Sequence, residues 1–266
     1  MREIIMQLKL KKKETAPAAA PAAAPAAGAA APAFAMPAAS SGGMTIELRL
    51  VIDADADANL ADALGVSVGK TIGDMREFMQ QARFTTSPDT DKQVLFESKL
   101  FEILLEEEGY DLLVMGKPEG SGCYCFVNNL LRGVMDKTTA NYDLIIIDTP
   151  AGLEHFSRKT IPDLDDLIVV TDESRRGLTT GERIRDTARE IELQYKNLYV
   201  VVNKVTPGRR DAVLENARGI GLEVIGTVPY DETLAKFDLV GDPLMGLPDD
   251  SPAVQEMVQV VGKLGL

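Results

Sequence analysis

From residue 44 onward, apolar and polar positions fall into two alternating patterns. Short, nearly unbroken apolar runs occur at Ile46–Asp53, Leu112–Met115, Leu144–Asp148, Leu167–Thr171, Leu198–Asn203 and Val224–Val228. Runs of this length, rich in Val, Ile and Leu, predict strands covered on both faces, as in a parallel sheet. Between them, Thr71–Gln81, Lys92–Glu108, Cys125–Lys137, Thr179–Gln194, Arg210–Ala217 and Ser251–Lys263 have the length and amphipathic spacing of helices. Regular alternation of strand and helix predicts an α/β fold with a doubly wound, mainly parallel sheet. Ligands in such sheets bind at the carboxyl ends of the strands, so the residues there carry the functional argument.

The first 43 residues break the pattern. Residues 1–13 form a strand-like stub ending in a lysine run, and residues 14–43 are dominated by Ala and Pro. Pro17, Pro21 and Pro25 recur every fourth residue, which forbids a long helix and predicts a semi-extended linker. Residues 44–266 are the expected globular domain.

Composition narrows the function classes. Among 266 residues, 41 Asp+Glu outweigh 28 Lys+Arg, for a net charge of −13. That acidity argues against nucleic acid or an anionic membrane as the main partner. No apolar run approaches the ~20 residues of a membrane span. The charged start does not read as a signal peptide, and two cysteines one residue apart do not make a disulfide scaffold. The expected location is the cytoplasm.

The strand ends hold the candidate chemistry. The first reads Ile52-Asp53-Ala-Asp55-Ala-Asp57-Ala-Asn59. One reading is a polar loop in which Asp57 or Asn59 caps the next helix. The other is a carboxylate cluster, Asp53, Asp55 and Asp57 at i, i+2 and i+4, that binds Mg²⁺ or positions an attacking water. The third strand closes as Leu144-Ile-Ile-Ile-Asp148-Thr-Pro-Ala-Gly152. An apolar strand ending on one Asp, with a Gly soon after, is the Walker-B pattern, in which the carboxylate reaches a nucleotide-bound Mg²⁺. The sole histidine, His155, reads as a loop or switch residue. Asn203 and Lys204 close the fifth strand; an Asn amide offers the donor and acceptor that match an adenine edge. Pro229 and Asp231 close the last strand. Together these describe a nucleotide pocket.

Cys123 and Cys125 follow the turn Glu119-Gly-Ser-Gly122 and lead into a predicted helix. A helix N-terminus favours thiolates, and thiolates bind soft divalent metals such as nickel or zinc. A closed site wants four ligands, which two chains facing each other across a two-fold axis supply. The alternative reading is two small buried apolar side chains.

From about Leu50 to Leu266 the chain resembles the CooC-type ATPases that mature nickel carbon monoxide dehydrogenase, within the MinD/ParA-like deviant Walker-A superfamily. The resemblance rests on Ile52–Leu60, on Glu106–Cys125 with its Cys-x-Cys, on Asp148–His155 and on Pro229–Asp231. It implies a P-loop NTPase fold, with Asp53 and Asp55 in switch I, Asp148 as the Walker-B carboxylate and Gly152 in switch II. It further implies adenine contacts from Asn203, an ATP-gated homodimer with metal at Cys123 and Cys125, and the carbon monoxide dehydrogenase apoenzyme as partner. The family begins with a strand, a lysine-bearing glycine-rich loop and a helix, and the residues before Asp53 hold no such loop. ATP hydrolysis is therefore an open expectation, beside a non-hydrolysing metal-binding scaffold and an inactive fusion product. Gly65-Val-Ser-Val-Gly69-Lys70-Thr71 imitates a phosphate loop, but one residue is wanting between its glycines and it follows a helical segment. Lys70 and Thr71 are expected to open a helix instead. Something must fill the centre of the sheet, and Arg2–Leu10 is the candidate.

Overall fold

A computed structural model describes residues 5–10, 48–75, 78, 92–117, 132–133, 135, 141–150 and 164–266. Its elements are β1 (Ile5–Leu10), β2 (Arg49–Asp53), α1 (Asn59–Leu64), α2 (Lys92–Ile103), β3 (Leu105–Glu107), β4 (Tyr110–Val114), β5 (Leu144–Thr149), β6 (Leu164–Asp172), α3 (Arg175–Glu190), β7 (Tyr195–Val205), α4 (Arg210–Gly219), β8 (Val224–Pro229), α5 (Glu232–Val240), a short 3₁₀ turn (Leu244–Gly246) and α6 (Pro252–Leu264). One sheet runs in the order β3-β4-β2-β5-β1-β6-β7-β8. Strands β4, β2 and β5 are parallel, as are β6, β7 and β8.

Successive strand residues feed opposite layers, because strand side chains alternate across the sheet. On one face Leu50, Ile52, Ile145, Ile147, Leu167, Val169, Val200 and Val202 pack with Leu178, Ile184 and Ala188 of α3 and Val213 and Ala217 of α4. On the other, Ile168, Val201, Ile225 and Val228 meet Ala253 and Val260 of α6, while Leu112 and Val114 meet Ala61 of α1. The doubly wound, mainly parallel sheet expected from the apolar runs is present. Among the described residues no helix is long and apolar enough to cross a membrane.

β1 does fill a central position. It runs antiparallel to both neighbours, with Ile5 opposite Thr149 and Val169 and Leu10 opposite Leu144. Its amino end therefore lies at the carboxyl edge of β5 and β6.

Several boundaries differ from expectation for local reasons. The helix expected to continue to Glu108 stops at Ile103, and Leu105–Glu107 turns back on β4 as an antiparallel pair. The two-residue connection contains Gly109 at φ 90°, the left-handed conformation that tight hairpins demand. Beyond β8, where a turn alone is expected, Asp231 accepts amides from Thr233 and Leu234 and starts α5. The imitation phosphate loop is taken apart: Gly65 ends α1 at φ 76°, Lys70 pairs with Glu102 at 2.7 Å, and Thr71 trades hydrogen bonds with Asp74 in the next helical turn.

Gly226 lets α6 pack close against the sheet, since a Cβ there would run into Val260. Gly226→Ala overpacks that contact and is expected to cost about 1–3 kcal/mol, read as a thermal midpoint several degrees lower. An unchanged midpoint would show that α6 sits further from β8.

Candidate functional site

The strongest feature of the carboxyl edge is a matter of register. β2 and β5 pair in parallel with Asp53 level with Asp148, which sets the two Cα atoms about 5 Å apart. The backbone locks the pair, because Ala54 donates its amide to the Asp148 carbonyl at 2.8 Å and Met115 donates to the Asp53 carbonyl at 2.8 Å.

Asp53 is fully buried. Its Oδ1 accepts the Asp55 amide at 3.0 Å and its Oδ2 accepts the Leu60 amide at 3.1 Å. Burial raises its pKa, against the two amides that lower it. The cap of α1 thus comes from Asp53, seven residues back from Leu60, and not from Asp57 or Asn59: the cap position is Ala58, at φ 54° with no side-chain bond. Asp55 Oδ1 accepts the Asp57 amide at 3.0 Å, and Asp57 forms an ion pair with Lys117. Burial, followed by the charges of Asp53 and Asp55, pushes Asp148 up to about 6. Asp148 therefore keeps its charge only against burial and the charges of Asp53 and Asp55.

The remaining predicted residues lie along the same edge, several strands away. Asn203 is level with Asp172 across β6 and β7. Its Oδ1 accepts the amide of Lys204, whose φ of 57° belongs to a bulge between Val202 and Val205. At the ends of β7 and β8 a cleft of about 180 Å³ opens against α6, lined by Val205, Thr206, Arg210, Thr227, Pro229 and Glu256. The buried Thr227 Oγ1 has no hydrogen-bond partner among the described residues. Asp231 stands behind Pro229 with its oxygens committed to α5 and to the Ser251 hydroxyl at 2.5 Å. Its pKa is lowered, first by that hydroxyl. Its place is that of a clamp joining α5 to α6. Gly152, His155, Cys123 and Cys125 lie outside the described residues, and no group of three or more His, Cys, Asp or Glu among the described residues is arranged to hold a metal.

Two positioning residues escape the reading of strand ends. Glu173 accepts from the Thr206 amide and hydroxyl, both at 2.8 Å, and from Arg209 at 2.9 Å, which ties the loop after β7 to the end of β6. Glu256, buried on α6, accepts the Thr227 amide at 3.0 Å and faces Arg210 across the cleft. The run Thr171-Asp172-Glu173-Ser174, directly after an apolar strand, is the local signal by which the first could have been found. Nothing local marks Glu256 as more than a polar residue in an amphipathic helix.

The raised Asp148 pKa predicts a pH-dependent stability. A carboxyl whose folded pKa lies above its unfolded value of 3.8 favours folding when protonated. The penalty is absent below about pH 3, builds up between about pH 4 and pH 6 and is complete above that. Asp148→Asn is expected to be more stable than the parent by on the order of 1–3 kcal/mol at pH 8, with the gap closing near pH 3. Melting curves at the two pH values check this; a gap independent of pH would contradict it.

Comparison with known proteins agrees with the geometry. Residues 49–244 match the CobQ/CobB/MinD/ParA nucleotide binding domain. An uncharacterised ATP-binding protein of Methanocaldococcus jannaschii is 46% identical over 217 residues, covering 81% of this chain and 86% of that protein. The carbon monoxide dehydrogenase accessory protein CooC of Rhodospirillum rubrum is 31% identical over 227 residues, covering 78% and 81%. Among solved structures, MinD of Aquifex aeolicus superposes with a TM-score of 0.56 at 21% identity, over 82% of this chain and 83% of that one. A ParA family ATPase of Chlorobium tepidum gives 0.58 at 18%, over 84% and 86%, which supports the fold alone. With its parallel sheet and its aspartates aligned on one edge, this chain belongs to the CobQ/CobB/MinD/ParA nucleotide-binding family.

Proposed function

We propose that this chain binds ATP with Mg²⁺ along the carboxyl edge of its sheet and serves, as a cytoplasmic homodimer, to assist nickel insertion into carbon monoxide dehydrogenase. The observation that carries the nucleotide half is the level pairing of Asp53 and Asp148. Clustered carboxylate oxygens suit a hard cation, and the upward pressure on Asp148 is what bound Mg²⁺ would relieve. Asp148 takes the Walker-B role, Asp53 and Asp55 that of switch I, and Gly152 that of switch II. The base lies toward Asn203, Lys204 and Pro229, with Asp231 fixing the Pro229 loop through its clamp. The nickel half rests on the likeness to the Rhodospirillum rubrum accessory protein and on Cys123 and Cys125, read as the thiolate pair that meets its copy across the dimer.

A second reading has its own support. No lysine-bearing glycine-rich loop precedes Asp53 in this sequence, and Lys70 of the look-alike segment is spent on Glu102. Charge-assisted hydrogen bonds contribute about 1.5–3 kcal/mol each, so four missing phosphate contacts cost on the order of 6–12 kcal/mol and convert micromolar binding to none. On this reading the chain is a non-hydrolysing metal-binding scaffold.

Calorimetry separates the two. Mg²⁺-dependent ATP binding that weakens at least tenfold in Asp148→Asn is expected from the first; no heat at millimolar ATP selects the second. Both readings expect one nickel or zinc ion per dimer, lost in Cys123→Ser, by metal analysis of the purified protein. One ion per chain would contradict the shared site.

A further inference from the structure

β1 sits in the middle of the sheet by register but not by composition. A strand with neighbours on both sides and cover on both faces ordinarily reads as an unbroken apolar run, as β5 does with Leu144-Ile-Ile-Ile147. β1 reads Ile5-Met-Gln-Leu-Lys-Leu10. Its register sets Gln7 opposite Ile147 and Leu167, and Lys9 opposite Ile145. Those three partners are among the most deeply buried side chains of the core. Polar residue types at these register positions depart from the apolar run that a strand covered on both faces ordinarily shows, and an apolar occupant would carry no polar group to desolvate there. β1 also opposes the direction of both neighbours and lies outside the residues that match the family.

The connection to the rest of the sheet does not enforce this arrangement. Leu10 and Arg49 are both level with Leu144, on its two sides, so their Cα atoms are about 10 Å apart, two strand spacings. The intervening stretch, residues 11–48, could span on the order of 100 Å. A connection so much longer than its span selects neither direction nor register. It raises the local concentration of β1 at the slot to the order of 1 mM.

We propose that the slot between β5 and β6 is an exchangeable strand-binding site, into which an apolar segment of about six residues from a different polypeptide enters by displacing β1. This is strand addition, with backbone pairing supplying affinity and alternate side chains supplying selectivity. A second copy of this chain is a poor occupant, because its β1 carries the same Gln7 and Lys9 and at micromolar concentration loses to a millimolar tether. A competitor with apolar residues at both positions gains roughly 10-fold to 100-fold at each. Against a tether of about 1 mM, half-displacement then falls at about 0.1–10 µM.

The test uses the full chain and two synthetic peptides. One has a core of six alternating Val and Ile residues flanked by Lys for solubility; the other carries Gln and Lys at the third and fifth core positions. Hydrogen exchange by mass spectrometry reads residues 5–10, 144–149 and 164–172. The apolar peptide is expected to release residues 5–10 to fast exchange at low micromolar concentration while β5 and β6 stay protected. The polar peptide is expected to do nothing up to 100 µM. In the double variant Gln7→Val with Lys9→Val, the apolar peptide should need at least 100-fold more for the same release. Fast exchange of residues 5–10 without peptide, no release at 100 µM, or equal release by both peptides would each overturn the proposal. Should the double variant fail to fold, the two peptides on the parent chain still decide.

Discussion

Two carboxylates brought level on adjacent parallel strands set the terms for the rest of this molecule. Carboxylates whose Cα atoms lie about 5 Å apart in a partly dry setting repel, and the structure holds Asp53 and Asp148 together only because the β2–β5 ladder fixes their register. The core enforces that ladder: Ile52 and Ile147, one residue before each aspartate, are fully buried. Slipping the pairing by one residue would turn every apolar side chain of one strand to the wrong face. Hydrophobic burial thus supplies the free energy that keeps an electrostatically unfavourable pair in place. Such tension between scaffold and charge is characteristic of functional sites.

The second constraint is how loops are tied to this edge. Asp53 spends both oxygens on amides of the loop that follows it, so loop 54–60 and its own carboxylate are one unit. Glu173 ties the loop after β7 to the end of β6, and Asp231 joins the start of α5 to α6 through Ser251. Each tether is a carboxylate accepting several donors, an arrangement that is stronger than neutral hydrogen bonds and specific in direction. The edge is therefore a row of preset loops carried on rigid strands.

Much of the scaffold was legible because it depends on local composition. Unbroken Val/Ile/Leu runs ending in Asp gave β2 and β5 and the residues at their tips, and the short spacing of Gly65–Gly69 correctly separated a helix cap from a phosphate loop. What local pattern left out was tertiary. Glu106 to Glu108 read as helix because nothing local says that Gly109 turns the chain back onto β4. The cap of α1 was sought at Asp57 or Asn59, whereas the amide of Leu60 is met by Asp53, already fixed by the sheet. Glu256 acquires its meaning from Thr227 and Arg210, both distant in sequence. Strand β1 is the intermediate case: its alternation announced a strand, and its antiparallel seat between β5 and β6 follows from pairing that no short window contains.

The proposed Mg²⁺ role of Asp53 and Asp148 can be read on a single carboxyl group. Carbon-13 NMR of the Asp148 carboxyl carbon, titrated with and without Mg²⁺, tests it most directly. A midpoint near 6 is expected without the ion, with a clear downward displacement when Mg²⁺ is added. A midpoint in the ordinary aspartate range, indifferent to Mg²⁺, would contradict it.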